Sequence, residues 1–198
     1  MPEPNTLRAL SGMPATPASL SDSTLIMIDC QNTYTRGVME LDGVAAALDE
    51  AATLLERARA AGIPIIHIQH DSGEGSPYDI RAEIGQIVDR VAPQGDETVI
   101  VKSFPNSFVQ TELDDRLKAA SAHDLVLAGF MTHMCVNSTA RGAFNLGYAP
   151  TVVAGATATR ALPGPTGVVS SEALQAASLA AIADLFGIVV SDAAAIPD

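Results

Sequence analysis

Six short apolar runs recur along this chain, and segments of helical spacing separate most of them. The runs are 24–29, 64–69, 97–102, 124–129, 150–154 and 188–190. Residues apolar at successive positions, rather than at alternate ones, suit strands covered on both faces. Between the first two runs, Val44, Leu48, Ala51, Leu55 and Ala58 form a helical stripe. Asp42 is the expected cap of that helix, and Gly62 with Pro64 its stop. Ser107 and Gln110 read as a capping box ahead of Phe108, Leu113 and Leu117. A helix is expected from Cys135 to Leu146, closed by Gly147. Leu174, Ala177, Ala181 and Leu185 mark the last helix, closed by Gly187. The stretch 78–97 predicts a short helix and a connection. The stretches 70–77 and 160–167, rich in Gly, Pro or polar residues, predict loops. Alternation of this kind specifies an α/β fold, a parallel sheet with helices on both faces and right-handed crossovers.

The chain has 198 residues, enough for one full core and short for two. Residues 23–198 are expected to form that domain. Residues 1–22, with four prolines, are expected to form an arm without regular structure, laid on the surface or against a partner subunit. Lys and Arg total 11 against 23 Asp and Glu, a net charge of −12. That balance argues against nucleic acid as a partner. It also favours a neutral or cationic substrate over a polyanion. No apolar run nears the ~20 residues of a membrane span. Two cysteines are too few for a disulfide framework, and no basic n-region precedes an apolar stretch. The expected location is therefore the cytoplasm.

In open α/β sheets, sites form beyond the carboxyl ends of the strands. Asp29, Lys102 and Cys135 all fall at or just past such ends. Taken alone, an Asp there caps a turn, a Lys is a solvated charge and a Cys is a small core residue. Together they can meet at one edge of one sheet. A thiol at a helix N-terminus also faces the positive end of the helix dipole, which favours the thiolate nucleophile. Cys30, next to Asp29, should face the other side of the strand and pack in the core.

Four blocks resemble the isochorismatase-like cysteine hydrolases: Leu25–Tyr34 with its Asp29-Cys30-Gln31-Asn32, Val101–Phe108 with Lys102, Gly129–Arg141 with Cys135, and Leu146–Tyr148 before a Val-rich strand. The resemblance spans about residues 24–190. It implies a three-layer α/β/α sandwich around a six-stranded parallel sheet. It implies a catalytic triad of Asp29, Lys102 and Cys135, and a non-proline cis peptide joining Phe130 to Met131. The backbone N–H groups of Met131 and Cys135 would form an oxyanion hole. The implied activity is hydrolysis of a C–N bond in a small-molecule amide, cyclic amide or carbamoyl compound through a thioester, with no cofactor. Homodimers or larger assemblies are usual in the family.

The expected pocket residues are Gln31, Tyr34, Phe104, Phe108 and His133, with Asn106 and Arg160 as further polar contacts. Phe104 and Phe108 read equally well as core. Nicotinamidases of this superfamily hold a metal through Asp-x-His and further histidines. His67 and His70 lack that spacing and fall on opposite sides of a strand, so no metal site is expected. Isochorismatases proper lack the nucleophilic cysteine, which this chain keeps. The cysteine block with Gln69-His70-Asp71 looks most like the metal-free branch that includes streptothricin hydrolase. Alternative readings are a nicotinamidase or an ether-cleaving isochorismatase, a non-catalytic binding protein of the same fold, and a redox protein using Cys30 and Cys135.

Overall fold

The computed structural model describes residues 5–198. After α1 (Leu7–Leu10), the chain alternates β1 (Ser23–Ile28), α2 (Val44–Ala61), β2 (Ile65–His70), β3 (Thr98–Lys102), α3 (Leu113–Ala119), β4 (Asp124–Phe130), α4 (Asn137–Asn145) and β5 (Ala149–Ala158). A hairpin of β6 (Leu162–Gly164) and β7 (Gly167–Val169), then α5 (Ser171–Ala181) and β8 (Ile188–Val190), complete the fold. The six expected strands form one sheet in the order β3-β2-β1-β4-β5-β8, every neighbouring pair parallel.

The strand period of two sorts the core into two layers. Leu25 and Met27 of β1 pack with Ala51, Leu54 and Leu55 of α2 on one face. Ile26 and Ile28 pack with Leu113 and Leu117 of α3 and Ala140 and Ala143 of α4 on the other. β1 is buried at all six positions, as its unbroken apolar run requires. The three-layer sandwich follows. The chain winds outward from β1 to β3 and then returns to place β4 on the other flank of β1. The β1–β4 boundary is thus the switch point, where α/β folds gather their ligands.

Several local expectations are corrected. Gly43, with a left-handed φ of 74°, precedes α2, and no side chain caps it. Asp42 instead gives its N–H to the Thr159 carbonyl, 3.0 Å away. The Ser107–Gln110 capping box does not form. Ser107 is buried with its hydroxyl 2.9 Å from Thr139 Oγ1, Gln110 takes a left-handed φ of 56°, and the helix begins at Leu113. The 160–167 loop contributes to the β6–β7 hairpin, and 78–97 holds only two 3-10 turns. The first 22 residues include α1, whose Leu7 N–H reaches Asp184 and whose Arg8 reaches the Leu185 carbonyl. That part of the arm lies along its own chain; residues 1–4 lie outside the described residues.

Candidate active site

Asp29 follows β1 directly and carries a left-handed φ of 48°, a conformation Asp tolerates better than most non-glycine residues. Its N–H still bonds the Ile68 carbonyl at the end of β2. Gly129, near the end of β4, has a φ of 116°. A Cβ there would strike the Ile28 carbonyl oxygen, so only glycine lets β4 pass this close to the end of β1. The Phe130–Met131 peptide bond beyond it is cis. Thr132–Val136 then forms a π-helical turn running into α4. Cys135 therefore sits within the first turn of a helical segment that begins at Thr132, rather than at its first residue.

Lys102 ends β3, two strands away from β1, and its side chain is fully buried. It reaches across the end of β2 to bridge the other two groups. Its Nζ lies 2.7 Å from Asp29 Oδ2, 3.4 Å from Cys135 Sγ and 3.1 Å from His70 Nδ1. Three acceptors account for all three ammonium hydrogens. His70 stands opposite Lys102 in the β2–β3 register, and its Nε2 lies 2.9 Å from Ser72 Oγ. Burial, with the Lys102 charge beside it, pushes the imidazole pKa down to about 4, so His70 is neutral and Nδ1 is free to accept.

The electrostatics differ from the sequence expectation for the thiol. Burial, and then the facing Asp29 carboxylate, push Cys135 up to about 12, with Lys102 opposing them. The resting group is a thiol. Burial also raises the Asp29 carboxyl, against the pull of Lys102. The buried Asp29 carboxyl lies within hydrogen-bonding reach of the Cys135 thiol, so it can take the thiol proton. Moving the proton from Cys135 to Asp29 removes the very charge that holds the thiol up. The two groups thus titrate as one coupled system.

The remaining expected residues divide. Tyr34 is buried, edge-on to Phe130 at 5.7 Å and to Tyr78 at 5.8 Å. Charges on Asp29 and Cys135 raise its hydroxyl pKa beyond the effect of burial, which puts it beside the site. His133 is half-buried, with Nδ1 held 2.6 Å from Thr159 Oγ1. Phe104 is 42% exposed, just beyond Lys102. Gln31 offers nothing to a ligand. Its Nε2 donates to the His70 and Gly85 carbonyls, and its Oε1 accepts from the His70 N–H. It straps the ends of β1 and β2 together. Phe108 stacks on Tyr148 at 5.8 Å in the helical layer and is core rather than pocket wall. Asn106 accepts from the Phe108 N–H and packs against Gly142 of α4.

Cys30 is buried against Leu25 and Tyr34 in the α2 layer, and Cys135 in the opposite layer, both as free thiols. Tyr78 was missed by sequence reading. It lies edge-on to His70 at 5.0 Å, and its hydroxyl feels both Cys135 and Asp29. Only its place in a loop of uncertain structure hid it. Among the described residues, no three His, Cys, Asp or Glu side chains are grouped to hold a metal ion. His67 is spent on Glu97, 2.9 Å away, and His70 on Lys102. No described helix is long and apolar enough to cross a membrane.

Known proteins resemble this chain in sequence and fold. Residues 23–194 match the isochorismatase domain family. The chain is 35% identical over 188 residues to the secreted isochorismatase effector Isc1 of Verticillium dahliae, covering 94% of this chain and 97% of that protein. It is 32% identical to a ureidoacrylate amidohydrolase of Stutzerimonas stutzeri, over 73% of this chain and 75% of that one. Streptothricin hydrolase of Streptomyces noursei also matches at 32%, over 63% of this chain and 45% of its own length. A crystal structure of an isochorismatase from Pseudomonas putida superposes with a TM-score of 0.94 at 36% identity, covering 98% of this chain and all of that one. With the domain family matched over nearly all of its length and the fold shared throughout, this chain belongs to the isochorismatase family.

Proposed function

We propose that this protein is a cysteine-dependent amidohydrolase that cleaves a C–N bond in a small molecule through a thioester. One observation carries the reading: a buried ammonium, Lys102, bridges a buried carboxylate and a buried thiol at the switch point of the sheet. Asp29 takes the thiol proton, and Lys102 stabilises the thiolate that forms. The thiolate adds to the amide carbonyl. The N–H groups of Met131 and Cys135 receive the oxyanion. In support, the Met131 carbonyl accepts from Val136, five residues on, in place of the Cys135 N–H that a regular α-turn would use. Asp29 then gives its proton to the leaving nitrogen as the C–N bond breaks. A water molecule, its proton taken by Asp29, attacks the thioester and releases the acid and the thiol. The amidohydrolase named among the relatives supports this chemistry.

The name of the Verticillium relative favours a second reading, ether cleavage of the isochorismatase type. That reaction needs a carboxylate and no nucleophile, which leaves Cys135 idle. The Cys135→Ala variant separates the two. Incubated with a panel of nicotinamide, N-carbamoyl amino acids, ureides, a streptothricin-type lactam and isochorismate, and followed by mass spectrometry, it is expected to lose all amide turnover. Its Tm should stay close to wild type. Amide turnover that survives the substitution refutes the thioester route.

A further inference from the structure

The sheet ends in β8 on one side and β3 on the other, and the two edges are finished differently. β8 is three residues long, and residues 6–15 of the arm share a crevice with its Ile188 and Val189. Short strands and covering segments keep an edge from pairing with another chain. β3 has neither protection. It runs for five residues without a proline, and its one lysine, Lys102, is turned into the site.

The Lys102 carbonyl accepts from the Asp71 N–H, 2.9 Å away, just past β2. The backbone of Lys102 therefore faces β2, and by strand alternation so do those of Ile100 and Thr98. The N–H and C=O groups of Val99 and Val101 point away from the sheet. Among the described residues, no loop or turn hydrogen-bonds to them. The two valines are 41% and 45% exposed. Ile100 between them packs with the α3 and α4 layer, so Val99 and Val101 lie together on the other face.

We propose that a second copy of this chain docks here, its β3 antiparallel to the first about a two-fold axis at Ile100. Val99 then lies opposite Val101 of the partner subunit, and Val101 opposite the partner's Val99. Each pair exchanges two N–H···O bonds at a Cα separation of about 5.5 Å. The outward backbone groups of both valines are thereby satisfied, and the exposed side chains meet across the seam. One self-complementary strand serves both copies, as two-fold symmetry requires. Electrostatics select the same face. Each copy carries a net charge of −12, so most of its surface repels its own copy. From Thr98 to Thr111 the one charged side chain is the buried Lys102, and Phe104 and Val109 add to the exposed apolar surface.

Sedimentation equilibrium over an about 100-fold range of concentration reads the assembly. Wild type should be a dimer or a multiple of one. Val101→Pro removes an outward N–H and leaves the ladder to β2 intact. Val99→Lys places a charge on both sides of the seam. Either substitution should halve the assembled mass while the far-ultraviolet circular dichroism spectrum stays unchanged. A second measurement reads the register. In a Cys135→Ala background, Val99→Cys and Val101→Cys proteins are mixed, left to exchange subunits and mildly oxidised. Opposed positions at about 5.5 Å lie within disulfide reach, whereas like positions lie diagonally beyond it. The mixture should therefore cross-link well beyond either protein alone on a non-reducing gel. Should a variant of the first experiment unfold, the cross-linking result decides. A monomeric wild type leaves the edge to some other strand and overturns the proposal. So does an assembly that both variants retain with native spectra, or a mixture that cross-links no better than its parts.

Discussion

Lys102 shows how much one buried side chain can organise. Its three donors go to a carboxylate, a thiol and an imidazole, none of them adjacent in sequence. The imidazole is the least obvious of the three. A hydrogen bond to a charged group contributes about 1.5–3 kcal/mol, which corresponds to about 10–100-fold in rate if it positions the ammonium. His70→Phe is therefore expected to lower kcat by about that factor with little change in KM. His70→Asn, whose Oδ1 can occupy the place of Nδ1, should retain most of the activity. Steady-state kinetics on the two variants decide this. Asp29→Asn makes an opposite pair of predictions. Removing the carboxylate charge removes a cause of the raised thiol pKa, so iodoacetamide should alkylate Cys135 faster at pH 8 than in wild type. Turnover should nonetheless disappear, because no base remains. Alkylation that slows in this variant would mean that Asp29 assists the thiolate rather than opposing it at rest.

At the scale of elements, the site depends on close approaches that small residues permit. Gly142 of α4 faces the Asn106 side chain, and a Cβ there would come within 2.6 Å of its Nδ2. Gly142→Ala overfills this contact and should cost about 1–3 kcal/mol, read as a lower midpoint in urea unfolding. Because the loop that carries Asn106 also follows Lys102, activity should fall as well. This contact explains why the capping-box reading failed. Ser107 and Thr139 hydrogen-bond across the same seam, and a tertiary partner outcompeted the local cap. Gly43 displaced Asp42 at the start of α2 for a similar reason, since the Asp42 N–H is taken by Thr159, just past the end of β5.

For the molecule as a whole, acid behaviour centres on Glu97 at the rim of the sheet. It receives Arg59 of α2 at 2.7 Å and lies 2.9 Å from His67 of β2, and the bond from Arg59 holds its carboxyl down near about 2. A carboxyl whose folded pKa lies below its unfolded 4.5 stabilises the fold above that value, and the contribution is lost as pH falls toward about 2. Tm should therefore decline across that window. Glu97→Gln should be less stable than wild type at pH 7 and should show a shallower decline below pH 4.5. Parallel curves for the two proteins would show that other carboxylates govern the acid limb.

The sequence alone determined the six strands, their parallel arrangement and the edge that holds the candidate site, because unbroken apolar runs and helical stripes report burial in the central strands, although the edge strand β3 leaves Val99 and Val101 exposed. It also singled out Asp29, Lys102 and Cys135, since each terminates or follows a strand and the topology carries strand ends to one side. It could not show that Gln31 is a strap, that Phe108 is core, that Cys135 rests as a thiol near 12, or that Tyr78 and His70 belong to the site. Those outcomes depend on which partner each polar or aromatic group meets across the sheet and on how much water is excluded there. Partner identity and desolvation are properties of distances between residues far apart in the chain, and only the tertiary structure contains them.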